Sequence, residues 1–417
     1  MKATESSNTS IFANPSAKKR ALGLIFFIML MDIVGLTIII PVAPFIVERY
    51  TKDAFAVTAL TGIYAAAQFF AAPLLGNISD RIGRRPVLLI CVLGSALGYF
   101  MFGLGGSLWV LFLSRVIDGF TGGNLSTASA YIADISTPEE RPKNFAMIGI
   151  AFGLGFILGP ALGGLASQIS IDAPAFLAGI ISLVSVAVMY FMLPESLPKE
   201  RREKKALILR DANPLIAIGE MARKPGMLLL FSISLIFAFV FNGLNTVLGK
   251  YVAERYGAQP GEISTLFVVA GIITAISQAT LVERTVKRFG EKTMTIVALV
   301  GLCLGSIVIA FAPAFWWLYP TTLLRNGLGG FIWGTLAAMT ANKVLPREQG
   351  KLAGVNTALQ SLMGVLGPLA AGLAYDYILP NAPFWIGAII FAVGALIALR
   401  IQVTPKQPPV GMPQPTH

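Results

Sequence analysis

Residues 21–47 read ALGLIFFIMLMDIVGLTIIIPVAPFIV, an apolar run in which Asp32 is the single charged residue. A helix needs about 20 mostly apolar residues to cross a bilayer, and this run is long enough to do so. The basic triplet at residues 18–20 directly before it resembles the start of a signal peptide. The length of the run, with Asp32 and Pro41 inside it, instead indicates a first membrane span that is not cleaved.

Runs of this kind recur along the whole chain of 417 residues, of which 55% are hydrophobic and 13% charged. Soluble domains carry about twice that share of charged residues, so this chain lacks the polar surface that water requires. Strands of a membrane barrel would be shorter and would alternate polar with apolar residues. The sequence therefore predicts an all-α polytopic membrane protein. Its twelve predicted transmembrane helices span residues 21–47, 55–76, 87–105, 108–133, 145–167, 174–193, 227–248, 262–282, 294–312, 315–341, 352–374 and 382–401.

The 32 Lys and Arg residues are concentrated in the two tails and in the even-numbered loops. The positive-inside rule then predicts that both termini face the cytoplasm. This distribution accounts for the net charge of +11, whereas a nucleic-acid-binding protein would gather its basic residues on one face of a polar domain. We predict a cytoplasmic tail over 1–20, a six-helix bundle over 21–194, a cytoplasmic linker over 195–226, a second six-helix bundle over 227–402 and a disordered tail over 403–417.

The two predicted bundles repeat one another in sequence. Ordered matches at a nearly constant offset do not arise by chance, even in a chain with 42 glycines. Transporters are often built from such repeats, with the substrate site between them near the bilayer midplane. We therefore expect two pseudo-symmetric halves. The matches are Arg81-Ile82-Gly83 with Arg288-Phe289-Gly290, Leu158-Gly159-Pro160 with Leu366-Gly367-Pro368, and Arg115 and Gly119 with Arg325 and Gly329.

The predicted loop between helices 2 and 3 reads Gly76-Asn-Ile-Ser-Asp80-Arg81-Ile-Gly83-Arg84-Arg85. A short turn held inside by its arginines explains this composition but not its order. The order resembles the cytoplasmic loop motif of the major facilitator superfamily, G-x-x-x-D-R-x-G-R-R, at every position. The resemblance implies the major facilitator fold. It also implies a charge cluster at a cytoplasmic gate, in which Asp80 and Arg84 meet Asp134 and the start of helix 11 when that side is closed.

Helix 5 carries a second pattern, with Gly155, Gly159, Pro160, Gly163 and Gly164 in the order G-x-x-x-G-P-x-x-G-G. Glycines at this spacing allow close helix packing, which is one interpretation. The pattern also resembles the motif of superfamily exporters that work as proton antiporters. Helix 1, from Met31-Asp32 to Pro41, is similar to the drug:proton antiporter family, and the N-terminal half most resembles the bacterial tetracycline exporters. The resemblance implies export of small lipophilic or amphipathic molecules in exchange for protons.

The sequence departs from the tetracycline exporters at two positions. Those proteins carry an acid in helix 3 directly before an aromatic residue, and another at the equivalent place in helix 9. Here the positions hold Gly98-Tyr99 and Gly305-Ser306, and helix 8 has no histidine because the only one is His417. These departures argue against tetracycline itself as the substrate.

Four charged residues lie clearly inside predicted spans: Asp32, Arg115, Asp118 and Arg325. A charge at a helix centre costs about 2.5–3.5 kcal/mol, so each is a candidate for function. Arg115 and Asp118 share one face of helix 4 and can pair. They are interpreted either as a structural ion pair or as a proton-linked site, because Arg115 matches the arginine of the motif R-x-x-x-G that relatives use for proton transfer. Asp32 is the other candidate for proton coupling.

Polar and aromatic residues on the predicted spans are candidates for the lining of a substrate cavity. Each polar one is also compatible with an ordinary hydrogen bond between helices. The mixture favours an amphipathic or aromatic substrate. The candidates are Tyr64, Gln68, Asn124, Phe237, Phe241, Asn242, Asn245, Gln278, Arg325, Asn326, Trp333, Asn356 and Gln360.

The sequence contains no phosphate-binding loop, H-E-x-x-H, C-x-x-C or G-x-S-x-G motif. We therefore expect neither an enzyme nor a metal or cofactor site, but transport driven by a proton gradient. The expected partners are a small-molecule substrate, protons and the lipid bilayer of the cell membrane, with no nucleic acid, and the expected state is a monomer. Two alternatives remain open: a nutrient or metabolite symporter or facilitator, and a transport-inactive receptor or scaffold of the same fold.

Overall fold

The computed structural model describes residues 14–137, 140–202, 214–344 and 348–401. Within these ranges the chain is almost entirely helical and contains no strand. This is the outcome that lipid imposes, since a helix satisfies its backbone hydrogen bonds within one segment. The predicted all-α class is confirmed.

Twelve membrane segments, α1 to α12, follow one another along the described chain. Eight of them are long and apolar enough to cross a membrane by themselves, α8 and α12 contain shorter apolar helices, and α4 and α10 are interrupted. The segments are α1 Pro15–Ile38, α2 Ala54–Ile82, α3 Arg84–Leu104, α4 Leu108–Thr121 with Asn124–Ile135, α5 Arg141–Ser167, α6 Ala173–Met192, α7 Met227–Tyr256, α8 Pro260–Ile276 with Ser277–Leu281 and Val282–Phe289, α9 Glu291–Phe311, α10 Leu318–Thr322 with Leu323–Gly327 and Leu328–Ala341, α11 Gln349–Tyr377 and α12 Ala382–Ala398.

Four predicted spans are divided in the structure. The first was expected to run to residue 47, but α1 ends at Ile38 and a separate short helix, Ala43–Glu48, follows Pro41. The break in α4 falls at Gly122 and Gly123. A side chain at Gly122 would lie 2.7 Å from the Tyr64 hydroxyl, so the break lets α2 approach closely. The fourth, eighth and tenth spans were predicted as continuous helices, but π-helical turns interrupt the eighth at Ser277–Leu281 and the tenth at Leu323–Gly327.

The end of α7 lies further along the chain than predicted. The predicted span stopped at residue 248, but α7 continues to Tyr256. The ammonium group of Lys250 lies 2.6 Å from Glu254 one turn later, and the Lys250 side chain is buried. An ion pair at this spacing supports a helix, so a residue expected in a loop lies inside α7.

The repeated Gly-Pro pairs occupy equivalent places in the two halves. In the N-terminal half, a side chain at Gly159 of α5 would overlap Thr37 of α1. In the C-terminal half, a side chain at Gly367 of α11 would overlap the carbonyl of Phe239 in α7. Each glycine thus permits the fifth helix of its half to pack on the first.

Two ends of the molecule can be distinguished by contacts. The termini end carries the start of α1 and of α7, where Lys18 pairs with Glu140, and Lys224 with Glu348 at 2.5 Å. The Lys18 ammonium, hydrogen-bonded to Glu140, lowers the pKa of that carboxyl. The opposite end carries the loops that join each odd-numbered helix to the next helix in the chain.

The two halves meet at the opposite end. Asp376 of α11 accepts hydrogen bonds from the backbone of Ala54 (2.9 Å) and Phe55 (2.7 Å) at the start of α2. Gly164 of α5 also packs closely against Ser264 of α8 at this end. Among the described residues, further contacts between the halves continue to the middle of the helices, where Gly364 meets Ala65 and Gly271 meets Phe156. The structure is therefore closed at the opposite end.

Candidate functional site

Asp32 and three predicted polar residues line one open cavity of about 480 Å³ in the N-terminal half. The three are Tyr64 and Gln68 of α2, and Asn124 at the restart of α4. Gln68 donates to the carbonyl of Gly122 at 2.8 Å, which holds its amide beside the break in α4. The rest of the lining is apolar and comes from α1, α3, α4 and α5. The break thus brings a polar patch to an otherwise hydrophobic wall.

Asp32 is the only charged residue among those that line this cavity. Its side chain is half-buried six residues before α1 ends at Ile38, and Asn124 is its polar neighbour. A carboxyl in this position can gain or lose a proton through the cavity. Because the surroundings are apolar, the cavity accommodates the neutral carboxyl far better than the charged carboxylate.

Arg115 and Asp118 form the predicted pair deeper in the same half, with Nη1 of the arginine 3.0 Å from Oδ2 of the acid. Both side chains are at least nine-tenths buried. The guanidinium carbon lies 4.6 Å from the centre of the Phe102 ring. Two nitrogens of Arg115, and Oδ2 of Asp118, nevertheless have no hydrogen-bond partner of good geometry among the described residues. This pair is incompletely satisfied.

Tyr64 lies beside both candidate proton sites. It lines the cavity that contains Asp32, and its backbone packs against Gly119 of α4, one residue after Asp118. Gly98 of α3 lies directly against Asp118, since an added side chain would come within 2.9 Å of the Asp118 Cβ. Helix 3 therefore has glycine where the tetracycline exporters have an acid, and Asp118 of α4 lies against that position.

The motif between α2 and α3 forms a cluster around Arg84, which is buried. Arg84 contacts Asp80 at 2.6 Å and Asp134 at 3.1 Å, and it donates to Ser79 at 2.6 Å. The predicted meeting of Asp80, Arg84 and Asp134 is thus present within the N-terminal half. The predicted contact with the start of helix 11 stays a prediction, because the side chains of residues 349–351 lie outside the described set.

Glu195 is a member of this cluster that the sequence did not reveal. Its carboxylate accepts from the backbone of Arg84 (2.9 Å) and Arg85 (3.3 Å), so it caps the start of α3. Gly83 has a φ of 111°, and a side chain there would collide with Glu195. The motif glycine is required for this cap. Arg85 also donates to the Tyr190 carbonyl, whereas Nε of Arg81 has no partner among the described atoms.

The helix 5 glycines face α1 and α8. An added side chain at Gly155 would meet Ile33, one at Gly159 would overlap Thr37, and one at Gly163 would overlap the Ile38 carbonyl. Thr37 also donates to the Gly155 carbonyl at 2.9 Å. The helix continues through Pro160, and Gly164 faces α8. This face of α5 is built for direct contact with α1.

We expect Gly159→Ala to destabilise the protein and Gly153→Ala to be neutral. An added methyl at Gly159 must displace Thr37, and such overpacking costs about 1–3 kcal/mol. A methyl at Gly153 would meet no atom within 4 Å. Thermal unfolding of the two purified variants measures the difference. Equal melting temperatures would mean that α1 and α5 do not pack as described.

A second cavity of about 390 Å³ lies in the C-terminal half. Four predicted residues line it: Phe237, Trp333, Asn356 and Gln360. Six others lie elsewhere. Phe241 stacks on Phe237, Asn242 donates to its own helix at Ala238, Asn245 accepts from the buried Arg325, Gln278 packs near Gly330, and Asn326 is half-buried on α10.

Asp376 and Ser277 are further residues that sequence analysis missed. Asp376 joins α11 to α2, and Ser277 donates to the Gly327 carbonyl at 2.5 Å between α8 and α10. An acid near a helix end is a weak signal by itself, since its partner is a backbone group far away in the sequence. Only the folded arrangement identifies such contacts.

The fold and the two cavities define a polytopic membrane transporter built from two six-helix halves. The sequence profile of the Major Facilitator Superfamily matches residues 25–368 and 230–415. The chain belongs to the major facilitator superfamily.

Several relatives resemble the chain over nearly its full length. The tetracycline resistance protein of class C from Escherichia coli is 33% identical over 91% of this chain and 94% of its own. Multidrug resistance protein 2 of Bacillus subtilis is 28% identical, over 89% and 93%. Among solved structures, the human organic anion transporter TETRAN superimposes with a TM-score of 0.70 at 26% identity, covering 91% of this chain and 99% of that one.

Proposed function

We propose that the protein exports small lipophilic or amphipathic, drug-like molecules in exchange for protons. The observation that carries this proposal is Asp32, a lone carboxyl on the wall of a mostly apolar cavity. The names of the relatives, tetracycline resistance and multidrug resistance proteins, support export of drug-like compounds. Transport requires no chemical conversion of the substrate and no bound cofactor, because the proton gradient supplies the energy.

Alternating access requires that the termini end close when the opposite end opens. Gly149 and Gly153 of α5 and Gly354 of α11 lie towards the termini end, and a side chain on any of them would meet no atom within 4 Å. These positions leave bare helix surface on the open side. We propose that the two halves pack against each other there in the alternate state, while the hydrogen bonds of Asp376 break.

The excess of Lys and Arg in the tails and even-numbered loops supports placing the termini end in the cytoplasm. The described conformation would then be open to the cell interior and closed outside. In this orientation a substrate enters the cavity from the cytoplasm or inner leaflet, and protons enter from outside after the switch. We propose that the protein works in the cell membrane as a monomer.

We expect purified protein in liposomes to accelerate dye efflux when the external medium is acidified. Vesicles are loaded with lipophilic dyes of cationic, neutral and anionic type, and fluorescence reports their release. Each proton that crosses 100 mV contributes about 2.3 kcal/mol, and a protonophore should remove the effect. Uptake together with protons would instead indicate a symporter, and no flux of any dye would indicate a receptor or scaffold.

A further inference from the structure

Arg325 is a buried cation without a counter-charge. It is 3% exposed and lies in the π-helical turn Leu323–Gly327 of α10. Its Nη2 donates to the side-chain oxygen of Asn245 at 2.6 Å, and its guanidinium lies 5.5 Å from the centre of the Phe241 ring. Nε has no hydrogen-bond partner among the described residues, and no described carboxylate pairs with this group.

The equivalent arginine in the N-terminal half has a counter-charge. Arg115, its repeat equivalent, has Asp118 three residues later at 3.0 Å. The residue three positions after Arg325 is Leu328, whose side chain fills the space against Gly301 of α9. The C-terminal half thus keeps the cation and lacks the acid. An isolated buried charge is costly, and inside a membrane it marks a functional site.

The surroundings of Arg325 connect it to the second cavity through aromatic rings. Phe241 stacks on Phe237 with 5.2 Å between ring centres, and Phe237 meets Trp333 at 5.2 Å. Phe237 and Trp333 both line that cavity. On the other side, α9 presents Gly305 next to the Arg325 Cβ and contributes no side chain there. The cation therefore lies one aromatic layer beyond the cavity wall.

We propose that, when Phe241 moves aside, Arg325 binds the negatively charged group of an amphipathic substrate whose aromatic or apolar body lies in the second cavity against Phe237 and Trp333. The proposal rests on the transport function proposed above and names the class of substrate: organic acids with a lipophilic body. The π-helical turn supports it independently, because such turns occur frequently at functional sites. Arg325 and Asn245 would together give the anion two polar partners.

The test compares binding of 2-naphthoate with that of 2-naphthamide, its neutral analogue, to the purified full-length protein in lipid nanodiscs. Ligand-induced thermal stabilisation gives both affinities. We expect wild-type protein to prefer the acid by about tenfold, the value of one charge-assisted hydrogen bond. Asn245→Asp places a carboxylate beside Arg325 without changing the volume, so the preference should disappear. Arg325→Gln should have the same effect, and Arg325→Lys should retain part of it.

The control is Asn381→Asp, the same chemical change at the N-cap of α12, where Asn381 donates to the Ala310 carbonyl. This variant should keep the preference. Equal preference in Asn245→Asp and wild type, or no naphthoate binding to wild type, would overturn the proposal. A chloride titration at constant ionic strength tests whether the site binds an inorganic anion instead. If chloride stabilises the wild-type protein but not Asn245→Asp, and naphthoate does not bind, the site is for an inorganic anion and the proposal is overturned.

Binding and transport fail separately in this design. The thermal measurement requires no flux, so a protein that binds naphthoate through Arg325 but shows no proton-driven efflux would contradict the proposed function alone. Proton-driven efflux of cationic and neutral dyes without a preference for the acid would contradict the anion site alone. Size-exclusion profiles of the variants identify any that fail to fold, and the Asn245→Asp and Arg325→Lys pair keeps the test valid if Arg325→Gln is lost.

Discussion

Asp32→Asn will abolish the response of transport to a pH gradient and leave substrate exchange intact. Asparagine has nearly the shape of a protonated aspartic acid but cannot release a proton. Residue 32 would keep its polar contact with Asn124, and the cavity would keep its apolar wall. The substrate would still cross by exchange, while the cycle would lose the proton that residue 32 carries and with it the coupling.

Two measurements on the same liposomes separate these effects. Counterflow of labelled against unlabelled substrate should persist in Asp32→Asn, and acidification of the external medium should no longer accelerate efflux. Asp53→Asn is the matched control, because Asp53 is an exposed acid in the loop before α2 that contacts Thr51 at 2.9 Å. It should behave as wild type. Proton-driven efflux at the wild-type rate in Asp32→Asn would remove Asp32 from the coupling mechanism.

The features that sequence analysis predicted well are those that the bilayer or a local motif imposes. Twelve apolar runs gave twelve segments, since a span has no alternative to a helix in lipid. The loop motif and the family resemblance brought Asp80, Arg84 and Asp134 to one region, because Asp80 and Arg84 flank the turn between α2 and α3 and Asp134 lies near the end of α4. The repeat predicted that Gly159 and Gly367 would have equivalent surroundings, as they do.

The features that it missed depend on contacts between distant segments. At the break in α4, Gly122 leaves room for the Tyr64 hydroxyl, a contact that the local sequence does not indicate. The role of Gly83 depends on Glu195, which was predicted to belong to a linker. Hydropathy also ended α7 too early, because Lys250 counts as polar although its charge is paired with Glu254 inside the structure.

Arg115 and Asp118 provide the second large expected effect, because either residue alone would be an uncompensated buried charge. Breaking a buried ion pair from one side costs about 3–5 kcal/mol, whereas replacing both partners is often nearly neutral. We therefore expect Asp118→Asn and Arg115→Met each to lower the melting temperature strongly and the double variant to recover most of the loss. Arg49→Gln, which removes the partner of the part-exposed Asp172, is the control and should cost at most about 1 kcal/mol.

Transport by the double variant decides between the two interpretations of this pair. A purely structural pair would let the double variant recover proton-driven efflux together with its stability. The geometry favours the other outcome, because two nitrogens of Arg115 and Oδ2 of Asp118 are buried without well-formed hydrogen bonds. A pair selected for stability alone would satisfy these groups, since unsatisfied buried polar atoms are costly and rare. We therefore expect the double variant to recover most of its stability and to show no pH-driven efflux, measured in the same liposome assay.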